Sequence, residues 1–128
     1  MRMLIFALLL SSAPAVAAEH YDLACQGTRL TQRGGTAEAY ATRVRIDLTA
    51  NKWCQDDCKE VRDITEVSAD RIVLVDDLTY NTRTDFSNNI TVDRKTGALR
   101  QLSSQDRPTT LYLKVEASCT EQPFTPFP

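Results

Sequence analysis

Tyr40-Ala41-Thr42-Arg43-Val44-Arg45-Ile46-Asp47-Leu48 alternates without a break. Tyr40, Thr42, Val44, Ile46 and Leu48 fall on one face, and Ala41, Arg43, Arg45 and Asp47 on the other. A period of two is the mark of a half-buried β-strand. Upstream, Tyr21, Leu23 and Cys25 alternate with Asp22, Ala24 and Gln26. Gln32-Arg33-Gly34-Gly35-Thr36 reads as the turn between the two runs. Downstream, Thr49-Ala50-Asn51-Lys52 turns the chain again and Trp53 opens a loop closed by Cys54 and Cys58.

The same pattern recurs to the end of the chain. Thr65-Glu66-Val67 and Ile72-Val73-Leu74-Val75 flank Ser68-Ala69-Asp70 as a hairpin, although Val61, Ile64 and Val67 also allow a short helical turn. Asp76-Asp77 reads as a turn. Leu78, Tyr80, Thr82, Thr84, Phe86, Asn88, Ile90 and Val92 hold one parity, with a bend or bulge expected at Ser87-Asn88-Asn89. Asp93-Arg94-Lys95-Thr96-Gly97 is a hairpin turn in which Gly97 is free to take a positive φ. Residues 98–103 return, residues 104–108 read as a loop, and Leu111, Leu113, Val115, Ala117 and Cys119 alternate to the end. No long helical period occurs. The expectation is an all-β fold, a small antiparallel barrel or strongly curled sheet of about seven or eight strands.

The first residues set the compartment. Arg2, the apolar run Leu4-Ile5-Phe6-Ala7-Leu8-Leu9-Leu10, Pro14 and the small residues Ala15-Val16-Ala17-Ala18 have the three-part layout of a secretory signal peptide. The run is too short to span a bilayer. The division expected is a signal peptide over 1–18, one β domain over 19–122 and an extended Pro/Phe tail over 123–128. The location implied is periplasmic or secreted, with no membrane span once the leader is removed. Asp22 stands three residues before Cys25, where a lipid-anchor site requires an apolar residue.

In an exported domain, an even cysteine count favours disulfides over free thiols. Of the three pairings open to the four cysteines, Cys25–Cys119 and Cys54–Cys58 are favoured. The long bridge ties the first strand to the last. Its parity places both sulfurs toward the core, beside Tyr21 and Leu23 on one strand and Leu111 and Val115 on the other. A copper or redox reading of Cys54 and Cys58 is the sharper alternative. It lacks further soft ligands: the one histidine is His20, and the two methionines leave with the leader. Trp53 reads as a core plug against the disulfide rather than a ligand platform.

The 128-residue chain carries a formal net charge of −2 and its charges are interspersed. Nucleic-acid binding needs a clustered basic face, and no such cluster occurs; no polybasic membrane patch occurs either. No catalytic residue, cofactor motif or metal-ligand pattern stands out. A Ser–His–Asp site would have to rest on His20, and adjacent acids such as Asp56-Asp57 are commonly turn formers. The residues left as an interaction loop are Trp53, Asp56 and Asp57. Phe124 and Phe127 are the tail contacts, either covering a barrel mouth or docking on a partner. Asn89-Ile90-Thr91 is a formal glycosylation sequon.

Several stretches carry a resemblance: Tyr21-Asp22-Leu23-Ala24-Cys25-Gln26-Gly27, Ile46-Asp47-Leu48, Trp53-Cys54 with Cys58, Ile72-Val73-Leu74, Val92-Asp93-Arg94 with Thr96-Gly97, and Cys119 before Pro123-Phe124-Thr125-Pro126-Phe127-Pro128. In these the chain resembles small, uncharacterised exported β-proteins of the proteobacterial envelope. A weaker likeness is to the periplasmic inhibitors of c-type lysozyme, through the opening strand; their serine-and-lysine loop has no match here. The function expected is a non-enzymatic binding or interaction module of the envelope, with an envelope protein or small ligand as its partner. The alternatives are an enzyme inhibitor that uses the Cys54–Cys58 loop and a metal or redox carrier through Cys54 and Cys58.

Overall fold

The computed structural model describes residues 19–128; the leader expected over 1–18 lies outside the described residues. Nine strands form one antiparallel sheet curled into a half-barrel, with no helix among the described residues. They are β1 (His20–Leu30), β2 (Glu38–Asp47), β3 (Lys52–Gln55), β4 (Arg62–Asp63), β5 (Glu66–Val67), β6 (Arg71–Tyr80), β7 (Asp85–Asp93), β8 (Ala98–Arg107) and β9 (Leu111–Gln122). The order across the sheet is β4-β3-β2-β1-β9-β8-β7-β6-β5. The expected all-β curled sheet is therefore present, with slightly more strands than the spacing suggested.

Sequence neighbours β4 and β5 lie at opposite edges of the sheet, so Ile64-Thr65 must span the seam. The Ile64 amide donates to the Asn51 carbonyl at 3.0 Å, and the Thr65 amide to the Val73 carbonyl at 2.9 Å. One residue is thus bonded to each edge. Ile64 itself is buried and joins the core. Arg62 and Asp77 reach across the same seam as an ion pair at 3.5 Å. These short stitches hold the curl without a continuous ladder.

The core lies on the concave face. Tyr21, Leu23 and Cys25 of β1, Val44 and Ile46 of β2, Trp53, Ile72, Val75, Ile90, Val92, Leu99, Val115 and Ala117 form one cluster. Alternation delivers these residues to one side because successive strand side chains point oppositely; in β6 a register shift between Val73 and Val75 brings Val75 to the same side as Ile72. Gly27 lies where β1 and β9 crowd together: a Cβ there would stand 2.0 Å from the Glu116 carbonyl oxygen. Gly97 has φ 76° in the β7–β8 turn, as the Asp93-to-Gly97 reading expected.

Both expected disulfides are present, and no described cysteine is free. Cys25 and Cys119 face each other directly across β1 and β9, so the bridge joins strands that already pair. Cys25 is fully buried, while Cys119 is half-buried at the core's margin. Two disulfides indicate an oxidising, extracytoplasmic environment. No helix among the described residues is long and apolar enough to cross a membrane.

Three local expectations are corrected. Asp76 and Asp77 do not turn the chain; they lie within the ten-residue β6. The turn comes at Thr82-Arg83, where the Asn81 amide bonds the Thr84 carbonyl at 2.8 Å. That turn replaces the bend expected at Ser87-Asn88-Asn89, and β7 runs through those residues. Residues 104–107 are not a loop, because β8 continues to Arg107.

Candidate functional site

Trp53 and Cys54 are adjacent and both buried, but on opposite faces of β3. Trp53 pairs with Ile46 and enters the core, whereas Cys54 pairs with Arg45 and faces outward. Trp53 is thus a core plug, as expected, but not one packed on Cys54. The Arg62 guanidinium lies 6.0 Å from its ring centre.

The Cys54–Cys58 loop is held by Asp56. One carboxylate oxygen accepts from the Thr42 hydroxyl at 2.9 Å and from the Arg43 amide at 3.1 Å. The Asp56 amide returns a bond to the Arg43 carbonyl at 2.8 Å. Asp56 and Cys58 both have φ near 55°, a left-handed backbone that the paired bonds and the disulfide hold in place. Asp56 is therefore a clamp rather than a free recognition group. Asp57 points to solvent, with Lys59 3.7 Å away.

The tail does not cover a barrel mouth. It crosses the convex face of β1 and β2, latched by a carboxylate that the alternation had placed outside. Asp22 is 0% exposed. It accepts from the Thr125 hydroxyl at 2.6 Å, the Thr125 amide at 3.0 Å and the Arg43 Nε at 2.8 Å. Arg45 donates to the Pro126 carbonyl at 2.9 Å. Phe124 and Phe127 are half-buried and stack edge-to-face at 5.4 Å, with His20 against Phe124 at 4.9 Å. Burial pushes the Asp22 carboxyl up, yet the Thr125 hydroxyl and amide and the Arg43 guanidinium outweigh it and hold it below the usual carboxylate value. Burial raises the Tyr21 phenol, opposed by Arg94.

A further surface, which the sequence did not single out, lies beyond the end of β1. The last β1 partner on β9 is Lys114, opposite Leu30. Beyond it β6, β7, β8 and β9 continue alone, pairing as far as Tyr80–Asp85, Asp85–Arg107 and Gln105–Leu111. This four-stranded lip prolongs the concave face past the apolar core. Asp77, Asn88, Ser103 and Leu113 form one row across it, and Thr79, Phe86, Gln105 and Leu111 the next. Asn88, Ser103, Leu113, Phe86 and Gln105 are half-buried; Asp77, Thr79 and Leu111 are open to solvent. Gln101 donates to Asn88 at 3.3 Å and Gln105 to the Thr109 carbonyl at 3.0 Å, which fixes two of the amides. Phe86, Leu111 and Leu113 beside fixed amides and hydroxyls give the apolar wall and few polar anchors of a recognition surface. The available signal was the polar quartet Asn81-Thr82-Arg83-Thr84, which reads as a two-residue hairpin turn only once Asp76-Asp77 is placed in the strand.

On the opposite face, Arg100, Lys114 and Glu116 line a shallow depression of about 310 Å³, where Lys114 and Glu116 pair at 3.4 Å. Among the described residues, no group of three or more His, Cys, Asp or Glu side chains gathers at metal-binding distance. Comparison of the chain with family models, with curated proteins and with solved structures finds no match.

Proposed function

We propose that this chain is a non-enzymatic binding module of the bacterial envelope, periplasmic or secreted, akin to the small exported β-proteins it resembles. Its ligand is an envelope protein or a small molecule seated on the concave lip. The observation that carries this reading is the change of lining along one continuous concave face. Apolar residues fill it as far as Ile90 and Val115, and half-buried amides and hydroxyls with Phe86, Leu111 and Leu113 replace them beyond. A face meant only for packing would stay apolar or be covered. The stitched seam and the bridge between β1 and β9 keep the lip's base rigid, which lowers the ordering cost of binding.

The test is crosslinking capture from envelope extract with three forms of the oxidised protein: unaltered, Asn88→Arg on the concave face and Ser104→Arg on the convex face. A partner retained by the unaltered and Ser104→Arg forms and lost with Asn88→Arg supports the assignment. Equal capture by all three, or none by any, refutes it; thermal melting of each form excludes unfolding as the cause.

A second reading has its own observation. The Cys54–Cys58 loop is rigid and holds Asp57 outward, the build of an inhibitory loop that enters a cleft. Inhibition of a lysozyme or protease that Asp57→Ala abolishes, with melting unchanged, would favour it over the lip.

A further inference from the structure

β6 is ten residues long, but its neighbour β5 covers only two of them. Ile72 and Val73 are paired on that side, and Thr65 bonds the carbonyls of Val73 and Leu74. From Asp76 onward this edge has no strand partner among the described residues. The hairpin register fixes which groups are free. Asn81 bonds toward β7 at Thr84, so bonding direction alternates back along β6. The amides and carbonyls of Tyr80, Leu78 and Asp76 therefore point away from β7. The same residues carry their side chains on the convex face, where Leu78 and Tyr80 are 78% and 79% exposed.

We propose that this edge pairs antiparallel with β6 of a second copy of the chain, about a two-fold axis at Leu78. A two-fold contact must match its own surface, and the side chains suit this register. With Leu78 opposite Leu78 of the other copy, Asp76 lies opposite Tyr80, and Asp77 opposite Thr79. Each acid then meets a hydroxyl, and the Asp76 carboxylate comes beside the Arg107 guanidinium, which stacks 5.6 Å from the Tyr80 ring centre. Centring the axis on Asp76 would set like charges face to face, which is unfavourable. Asp77, an inward charge of the kind that protects exposed edges, is already paired with Arg62. About six backbone hydrogen bonds form in this register, two for each facing pair. The pairing joins the two lips into one sheet, and it stands whether or not the lip binds the proposed ligand.

Analytical ultracentrifugation of the oxidised protein over a wide concentration range reads the association directly. A monomer–dimer equilibrium is expected. Leu78→Asp should raise its dissociation constant about tenfold or more, by facing two carboxylates at the axis. Melting should be little changed, since the side chain is exposed. In Leu78→Cys the introduced thiols should crosslink the two copies, because facing Cα atoms of a hydrogen-bonded pair stand about 5.5 Å apart; Leu102→Cys on β8 should not. A monomer at every concentration overturns the proposal, as does a dimer indifferent to Leu78→Asp. Capture of a different protein's strand at this edge, with the pure chain monomeric, overturns it equally.

Discussion

Replacing Asp22 with alanine tests the least expected contact of the fold. The carboxylate is fully buried and accepts three hydrogen bonds, two from Thr125 and one from Arg43. A hydrogen bond to a charged group is worth about 1.5–3 kcal/mol taken singly. The three do not add, because Thr125 regains water once the tail lifts, and Arg43 is already half-exposed. The cost of losing the docked tail therefore sets the ceiling, and we expect Asp22→Ala to lose about 2–4 kcal/mol. For a domain of this size that is a fall of about 10–15 °C in melting temperature. Urea unfolding with the disulfides intact measures it. The decisive comparison is a chain ended after Gln122. Without the tail Asp22 faces water, so Asp22→Ala should cost much less there than in the full chain. Equal losses in the two backgrounds would refute the latch and leave the burial of Asp22 without a cause.

The folded Asp22 pKa lies below its ordinary 3.8, so its stabilisation is complete above about pH 4 and disappears as pH falls through the folded value; acid titration of Asp22→Ala should show a shallower acid limb than the unaltered protein. Removing the Cys25–Cys119 bridge by paired alanines should cost about 4.7 kcal/mol in the loop-entropy account, and removing Cys54–Cys58 about 2 kcal/mol, so the first variant should melt well below the second by calorimetry. Gly27→Ala should disrupt the β1–β9 pairing, because its Cβ would overlap the Glu116 carbonyl; hydrogen exchange should show faster loss at the amides of both strands than elsewhere. Trp53→Ala should cost about 3–5 kcal/mol as a core deletion, with the Cys54–Cys58 disulfide still formed by mass spectrometry, since the two side chains face opposite ways.

Much of the fold was legible in single-strand alternation. Tyr40 to Leu48 displayed which side faces the core, and the cysteine parity predicted that Cys25 and Cys119 would meet across terminal strands. The turn at Asp93 to Gly97 was written in its residues, because a positive φ suits glycine. Asp76-Asp77 misled for a physical reason. Paired acids favour turns when solvated, but on an edge strand one can point to water while the other reaches Arg62 across the seam. That contact joins elements far apart in the sheet order, and no local window contains it.

Alternation along single strands was enough for the all-β class and for the core-facing side of β1, β2 and β9, and it favoured the two crosslinks, because these depend on periodicity and on chemistry confined to one strand. It failed from Leu78 to Val92, where the two-residue turn at Thr82-Arg83 leaves Leu78 and Tyr80 on the convex face and Phe86 and Ile90 on the concave one. The closure through Ile64-Thr65, the tail over the convex face with Asp22 beneath it, and the four strands that outrun the core to form a lip all emerge from the folded arrangement alone. Those features depend on which strands neighbour one another and where each ends. Hydrogen bonding between remote segments fixes both, and alternation along a single strand carries no record of it.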